Sequence, residues 1–568
     1  MSFKEQRKPE SNARFLCILS ETGLRHAAAG RKRTGGSRPS PGRERAGGEW
    51  RTDQNMSDER KQEDGQEQQA GSPPPEGNAQ KGGEQTTIRL DDLKGRFLSN
   101  DLADNMSSFD RVLQVEKNFD ILKRVFFIGE RQACFYFIDG FHKDDTLQRL
   151  LQYFYGLKAE DTPQSFEELL QKYLPYGELE LVRDMDKLLG AILSGKPALI
   201  VDGFGVSVTV DFRDYPARSV SEPDKDKAMR GSKDGFVETL VFNTALIRRR
   251  IRTPQFTIEM LSVGKSSRTD IAMCYMEDRV DKKFLDTVTK RIKGINIDAL
   301  TMNQQSLAEC MFGTRWLDPF PKFKYSERPD TAAACILEGN IVLLVDNSPS
   351  AMILPASIFD IVEEADDYYF PPVTGTYLRL SRIIINFLAI ILTPLFLLLT
   401  EYPEYVPKGF EFIAIKETMN IPLIWQFLIL EFTIDGLRLA SINTPNMLST
   451  PLSVVSGLVI GEFTVSSGWF NAEAMMYMAF VAIANYTQVN FELGYALKFM
   501  RLITLLLTAW FGIWGFAGGL IFSLACLCFN RTIAGKSYIY PLIPFHFREL
   551  ARRLFRVSLP ASEKRRRS

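Results

Sequence analysis

The spacing of apolar residues changes twice along the chain. Up to about residue 90 they are sparse and aperiodic, as in QEDGQEQQAGSPPPEGNAQKGGEQ. Such a composition buries too little apolar surface to offset the entropy of ordering it, so residues 1–92 are expected to form a disordered tail. From about Phe97 to Asp366 short apolar runs alternate with helically spaced ones, which predicts an α/β body. From residue 371 to 545 the runs lengthen to membrane-spanning size, and a basic tail follows at 546–568. The expected fold class is an α/β soluble N-terminal region followed by an α-helical polytopic membrane domain.

Within the soluble region, VFFIGERQACFYFIDGF holds two apolar runs around a polar turn, a hairpin signal. DDTLQRLLQYFYGL follows with helical spacing, and PALIVDGFGVSVTVDFR reads as two strands joined at Gly203 and Gly205. The same order then returns. FTIEMLSVGKSSRTDIAMCYMED reads as two strands around a Gly/Ser turn, and DKKFLDTVTKRIKGI as a helix. AILSGKPALIVD (191–202) aligns with CILEGNIVLLVD (335–346). Ile192, Leu193, Gly195, Leu199, Val201 and Asp202 fall opposite Ile336, Leu337, Gly339, Leu343, Val345 and Asp346. A shared glycine and aspartate at matching places predict two similar subdomains, 93–247 and 248–370, joined near NTALIRRRIRTP.

In the last third, Ser381–Thr400 is a run of spanning length with Arg382 at its edge, and Pro394 is expected to kink it. Leu502–Phe529 is the second clear span, where Gly512, Gly515, Gly518 and Gly519 would let another helix approach closely. Three less regular segments lie between, about Ile421–Leu439, Met447–Phe470 and Ala472–Tyr486, so four, five or six crossings all fit. The basic tail FRELARRLFRVSLPASEKRRRS places the C-terminus in the cytosol. With a cytosolic N-terminal region this demands an even number of crossings. Lys498 and Arg501, just before the last span, pull the other way.

IPLIWQFLILEFTIDGLRLASINTP carries charge where hydrocarbon penalises it. Glu431, Asp435 and Arg438 stand at i, i+4 and i+7 on one helix face, where Asp435 and Arg438 can pair. One reading is a helix end at the interface, with Arg438 snorkelling. The other is an aqueous path or subunit contact, which Glu462 and Asn485 on neighbouring segments favour, as do Pro445 and Pro451.

Charge and chemistry narrow the function. Lys plus Arg number 69, as do Asp plus Glu, so bulk charge points to no nucleic-acid partner. Seven scattered cysteines argue for packing in a reducing compartment rather than a disulfide framework. Cys526 and Cys528, in an apolar helix without nearby histidine, do not suggest a metal site. The best apolar run near the N-terminus, Phe15–Leu19, is shorter than a secretory h-region. Met56 opens an acidic leader, MSDERKQEDG, so the sequence leaves Met1 and Met56 both open as the native start. His26, His142 and His546 join no catalytic constellation, so neither a cofactor nor an enzyme activity is expected. VGKS (263–266) and AGKS (534–537) resemble the end of a phosphate-binding loop, but Glu259 and Asn530 stand where its first glycine belongs. Arg248, Arg249, Arg250 and Arg252 form a basic run at the junction, either a solvated helix end or a contact for lipid headgroups or an acidic partner. In SERPD (326–330), Glu327, Arg328 and Asp330 can lock the turn by ion pairs.

The blocks VDFRDYPARSVSEPDKDKAMRGSKDGFVETLVFNTALIRRRIR, YSERPDTAAACILEGNIVLLVDNSPSAMILP and LASINTPNMLSTPLSVVSGLVIGE resemble, in that order, the GerA family of spore germination proteins, the A-type subunits of germinant receptors. The likeness runs from about Phe97 to Arg556. It implies residence in the spore inner membrane and a role in germination. It also implies a homo-oligomer, pentameric by family resemblance, that acts as a ligand-gated cation channel among membrane lipids and other germination subunits. The residues alone leave open a secondary transporter, which calls for internal symmetry among membrane helices, and a scaffold without a pore.

Overall fold

Among the described residues, ten strands build two sheets of one topology. β1 (Ile121–Ile128) and β2 (Arg131–Ile138) form the expected hairpin. With β3 (Leu179–Val182), β4 (Ala198–Val201) and β5 (Ser207–Val210) they make a sheet ordered β1-β2-β4-β5-β3. β6 (Phe256–Val263), β7 (Thr269–Met276), β8 (Lys324–Ser326), β9 (Ile341–Val345) and β10 (Ala351–Leu354) make a second, ordered β6-β7-β9-β10-β8. Neighbouring strands are antiparallel throughout. This computed structural model describes residues 93–557, except 175, 216–228, 314–317, 407, 410–414, 416–419, 445–450, 452–453 and 489. The expected disordered tail, Met56, Pro445 and the end of the basic tail lie outside the described residues.

The inner strands are apolar on both faces because both faces are covered. In the first sheet Cys134, Tyr136, Ala198 and Ile200 pack with helices Leu102–Leu113 and Met185–Leu193. Ala133, Phe135, Leu199 and Val201 meet Leu147, Phe154 and Tyr173 on the other side. The second sheet repeats the arrangement, with helices Leu240–Arg248 and Pro329–Leu337 on one face and Lys282–Lys293 and Asn303–Phe312 on the other.

The aligned residues do the same job in each half. Asp202 accepts the Leu102 N–H at 3.1 Å and Asp346 the Leu240 N–H at 3.4 Å, so each satisfies an otherwise orphaned donor at the start of a helix. Asn105 and Asn243, inside those helices, each clamp the segment leading in, accepting from Ser99 at 2.9 Å and Val237 at 2.8 Å. Gly195 and Gly339 close the helices before β4 and β9 with φ of 90° and 101°. A Cβ there would lie 2.6 Å from Phe141 or 2.8 Å from Arg279. By this correspondence the second copy opens with helix Leu240–Arg248, which crosses the 247/248 division read from the sequence.

Among the described residues two helices are long and apolar enough to cross a membrane, Pro372–Glu401 and Phe491–Phe529. The second is not one rod. At Gly512 the backbone turns to φ 54° and ψ −130°. Along a straight helix Thr504 and Gly519 would stand about 22 Å apart; instead a Cβ on Gly519 would lie 2.8 Å from Thr504 Cα. Cys526 and Leu527 pack beside Leu493, Leu497 and Met500. Phe491–Phe529 is therefore an antiparallel hairpin with Gly512 at its tip, and Gly515 and Gly519 seat its two arms together. This corrects the expected single span over Leu502–Phe529: both arms are apolar, so the run continues through the tip without a polar break.

Contacts fix the direction of each helix. Both hairpin ends return to the soluble region, where Asn530 Nδ2 donates to Asp318 at 3.1 Å. Tyr402, just past the first apolar helix, reaches the tip, its hydroxyl 2.5 Å from where a Gly512 Cβ would stand. Helix Leu423–Asn443 runs back: Leu423 and Phe427 pack with Phe396 and Leu397, and Arg438 lies 4.7 Å from the Phe491 ring. Helix Ala472–Tyr486 runs the same way, with Ala474 in that far cluster and Tyr486 beside Arg438. A shorter apolar helix, Val454–Ser466, precedes it.

Candidate functional site

Glu431 is only 5 % exposed, although it sits mid-way along an apolar helix. It faces its own bundle. Arg501 Nε donates to Glu431 at 2.9 Å, and Lys498 Nζ stands 3.2 Å from its second oxygen. Lys498 also pairs closely with Asp435, and Arg501 Nη1 donates to the Ala389 carbonyl at 3.2 Å. Two acids at i, i+4 on one helix thus meet two bases at i, i+3 on the hairpin, the spacings that share a helix face. The four charges cancel. Taking each ion from water costs several kcal/mol, offset here by mutual attraction and hydrogen bonds.

The expected Asp435–Arg438 pair is replaced. Asp435 is drawn to Lys498, and the Arg438 guanidinium lies over Phe491 (4.7 Å), Tyr495 (5.2 Å) and Tyr486 (6.0 Å). Asp435, Arg438 and Asn485 line one small cleft with Lys498. Glu462 is exposed on a π-helical turn, Gly457–Phe463, and is not among the lining residues. Gln426 is buried against the next helix, donating to Asn471 at 2.8 Å. Lys498 and Arg501 enter the sequence pattern only as topology signals. Their i, i+3 spacing, complementary to an acidic i, i+4 pair, is the clue to a site.

The arginine run separates into different surroundings. Arg248 is fully buried and stitches the two halves. Its Nε and Nη2 donate to Asp120 at 2.7 and 2.9 Å, next to β1, and Nη1 to the Phe256 carbonyl of β6 at 2.9 Å. Arg249 lies 4.8 Å over the Tyr215 ring, and Arg250 pairs with Asp234 at 2.6 Å. Arg252 is exposed and donates to the Arg249 carbonyl at 3.1 Å. A solvated helix end therefore describes Arg252 but not Arg248. In SERPD, Arg328 is buried and donates to Asp330 at 3.1 and 2.6 Å, as the spacing predicts. VGKS and AGKS are tied into turns, the first by the Lys265 N–H to the Ile297 carbonyl, the second by the Arg531–Ser537 bridge.

A second charged cluster sits where the sheets meet the first apolar helix. Arg379 pairs with Glu363 at 2.7 Å, and Arg382 pairs closely with Asp367. From helix Phe547–Leu554, Arg553 pairs closely with Asp360 and stands 3.5 Å from Glu363. Burial pushes the Glu363 carboxyl up, but Lys324, Arg379 and Arg553 outweigh it and hold it below the ordinary range. EEADDYYF (363–370) announces Glu363 and Asp367 in sequence without revealing their partners.

This whole arrangement falls within a known sequence family. The family described as Bacillus/Clostridium GerA spore germination protein matches residues 110–568. The chain belongs to the GerA family. Among GerA relatives, stage V sporulation protein AF of Bacillus subtilis (strain 168) is 33 % identical over 464 residues, covering 82 % of this chain and 94 % of that protein. Spore germination protein KA of the same organism is 27 % identical over 476 residues, covering 83 % and 87 %. The crystal structure of the N-terminal domain of the A subunit of the Bacillus megaterium spore germinant receptor GerK3 aligns with 27 % identity and a TM-score of 0.36. That alignment covers 46 % of this chain and 97 % of the other. The GerA region takes in nearly all of both sheets' halves, the quartet and the joint.

Proposed function

We propose that this GerA-family chain is a non-enzymatic membrane subunit of the spore germination apparatus that relays a signal from its soluble region to helices gating ion movement. The observation that carries the reading is the charged quartet, with Glu431, Lys498 and Arg501 buried and Asp435 half-buried at its edge. Ionisable groups among membrane helices are costly and mark ion or proton paths. Paired, they cancel and the path is shut. A slide of helix Leu423–Asn443 past the hairpin by one turn, about 5.4 Å, moves one carboxylate into the other's place and frees the second from its base beside the cleft of Arg438 and Asn485. The joint supplies the drive: Arg379 and Arg382 hold the acids of the soluble region, and Ala389, about two turns further along the same helix, holds Arg501.

In this reading the chain is multi-pass in the spore inner membrane. Helices Pro372–Glu401, Leu423–Asn443, Val454–Ser466 and Ala472–Tyr486, with the two hairpin arms, make six passes, an even number. The N-terminal region and C-terminal tail then share the cytosolic side. Phe387, Phe432, Trp510 and Trp514 are 62, 81, 75 and 83 % exposed, which suits lipid. The subunit works as a homo-oligomer, pentameric by family likeness, with other germination subunits. The test is conductance of the full-length protein in planar lipid bilayers. Cation current that Glu431→Gln alters supports the reading; an inserted, assembled protein that passes no current under any condition leaves a scaffold.

A further inference from the structure

The last described stretch, residues 540–557, presents two unlike faces. The inner face straps the chain to the start of the first apolar helix. Arg379 Nη1 donates to the Arg553 carbonyl at 2.9 Å, and the Arg556 N–H donates to Thr376 Oγ1 at 3.1 Å. Gly375 leaves room for the strap, since a Cβ there would lie 3.0 Å from Arg556 Cδ. The outer face is apolar and basic together. Leu542, Ile543, Phe545, Phe547 and Phe555 are 42, 47, 64, 73 and 52 % exposed, and Arg548 and Arg552 stand exposed among them. Arg548 and Arg552 fall at i and i+4, on one side of the helix, and Phe555 follows its last residue. A protein surface in water gains nothing from five large apolar side chains in one short stretch.

The height of the strap says what covers it. Thr376 and Arg379 come shortly before Ile383, where the uncharged run begins. At 1.5 Å per residue they sit about 6–10 Å outside it along the helix axis. That is the depth of the headgroup layer, roughly 5–8 Å beyond the hydrocarbon on each side. Val373 and Tyr377, at the same level, are 82 and 69 % exposed, as residues of an interfacial belt are.

We propose that residues 540–556 form an interfacial anchor that docks on anionic phospholipid headgroups of the leaflet facing the soluble region. Arg548 and Arg552 meet phosphate, and Phe545, Phe547 and Phe555 enter the acyl boundary. The same helix holds Asp360 and Glu363 through Arg553, so the charge of the bilayer bears directly on the joint. The proposal rests on the membrane reading above, and its test keeps the two apart.

Full-length protein carrying the photo-crosslinker p-benzoylphenylalanine at position 547 is placed in nanodiscs of neutral phosphatidylcholine, with or without phosphatidylglycerol. Parallel samples carry it at 387 and 514, on the apolar helices, and at 155, on the sheet region. Lipid adducts are expected at 387, 514 and 547 and not at 155. The 547 adduct should rise several-fold with phosphatidylglycerol, and Arg548→Gln with Arg552→Gln should abolish the rise. Adducts at 387 or 514 with none at 547, or a 547 adduct to a second protein chain, overturn the anchor. A 547 adduct indifferent to phosphatidylglycerol overturns its anionic specificity. Absence of adducts at both 387 and 514 overturns the membrane reading itself.

Discussion

Glu431→Gln is the sharpest single perturbation of the quartet. It deletes the negative charge that faces Arg501 Nε at 2.9 Å and Lys498 Nζ at 3.2 Å while barely changing shape. Lys498 keeps Asp435, but Arg501 is fully buried and retains only a carbonyl and an amide. At an effective dielectric of ~20, opposite charges 3–4 Å apart attract by about 4–6 kcal/mol. The amide recovers part of this, and breaking a buried pair costs about 3–5 kcal/mol in general. For a helical region of this size, each kcal/mol moves the unfolding midpoint by roughly 2–4 °C, so a fall of about 6–20 °C is expected. The assay is thermal unfolding of purified full-length protein in detergent, followed by tryptophan fluorescence. The double change Glu431→Gln with Arg501→Gln removes both charges and should recover most of the loss, giving a large coupling in a double-mutant cycle. Two single changes that each cost under ~1 kcal/mol, with no coupling, would refute the argument, because the site would then be hydrated at rest.

Other expectations follow from the same contacts. Residues 93–370 alone should be monodisperse with mixed helix and strand circular dichroism, and in that fragment Asp120→Ala, which strands buried Arg248, should cost about 3–5 kcal/mol in urea unfolding. Gly512→Ala forces a side chain into a positive-φ conformation beside the Tyr402 hydroxyl; it should cost about 1–3 kcal/mol and hasten proteolysis of the hairpin in detergent. Glu363 and Asp330 both have depressed carboxyl values, Glu363 against its burial through Lys324, Arg379 and Arg553, Asp330 against its burial through Arg328 and Tyr369. Their stabilisation is complete above the unfolded values near ~4 and is lost as pH falls through the folded ones. Hydrogen exchange over residues 358–380 should therefore quicken below about pH 4, and Glu363→Gln should flatten that dependence.

Much of the soluble fold was legible because its determinants are local. The hairpins announce themselves by polar turns between apolar runs, and the duplication shows at Gly195/Gly339 and Asp202/Asp346 because turn conformation and a helix-start acceptor restrict those positions strongly. The hairpin at Gly512 was hidden: reversal needs one glycine, and four lie nearby in an unbroken apolar run. The quartet was half visible. Glu431 and Asp435 stand out against lipid-like neighbours, but Arg501 and Lys498 read equally well as flanking charges until the fold sets the two helices side by side. Arg248 illustrates the same limit, since four arginines in five positions look alike until one finds Asp120 more than a hundred residues away.

The one-residue tip at Gly512 has a consequence for where information enters. On the face reached by Tyr402 and Gly512, the described chain offers the stretch after Glu401, the short Ser467–Asn471 connection and the tip itself. Both sheets and the strapped helix lie at the opposite end. Among the described residues, little chain stands on that face beyond these three stretches. In the arrangement proposed here, the soluble region and the strapped helix share one side of the barrier, so a signal read by the sheets enters at the end of the hairpin farthest from its tip.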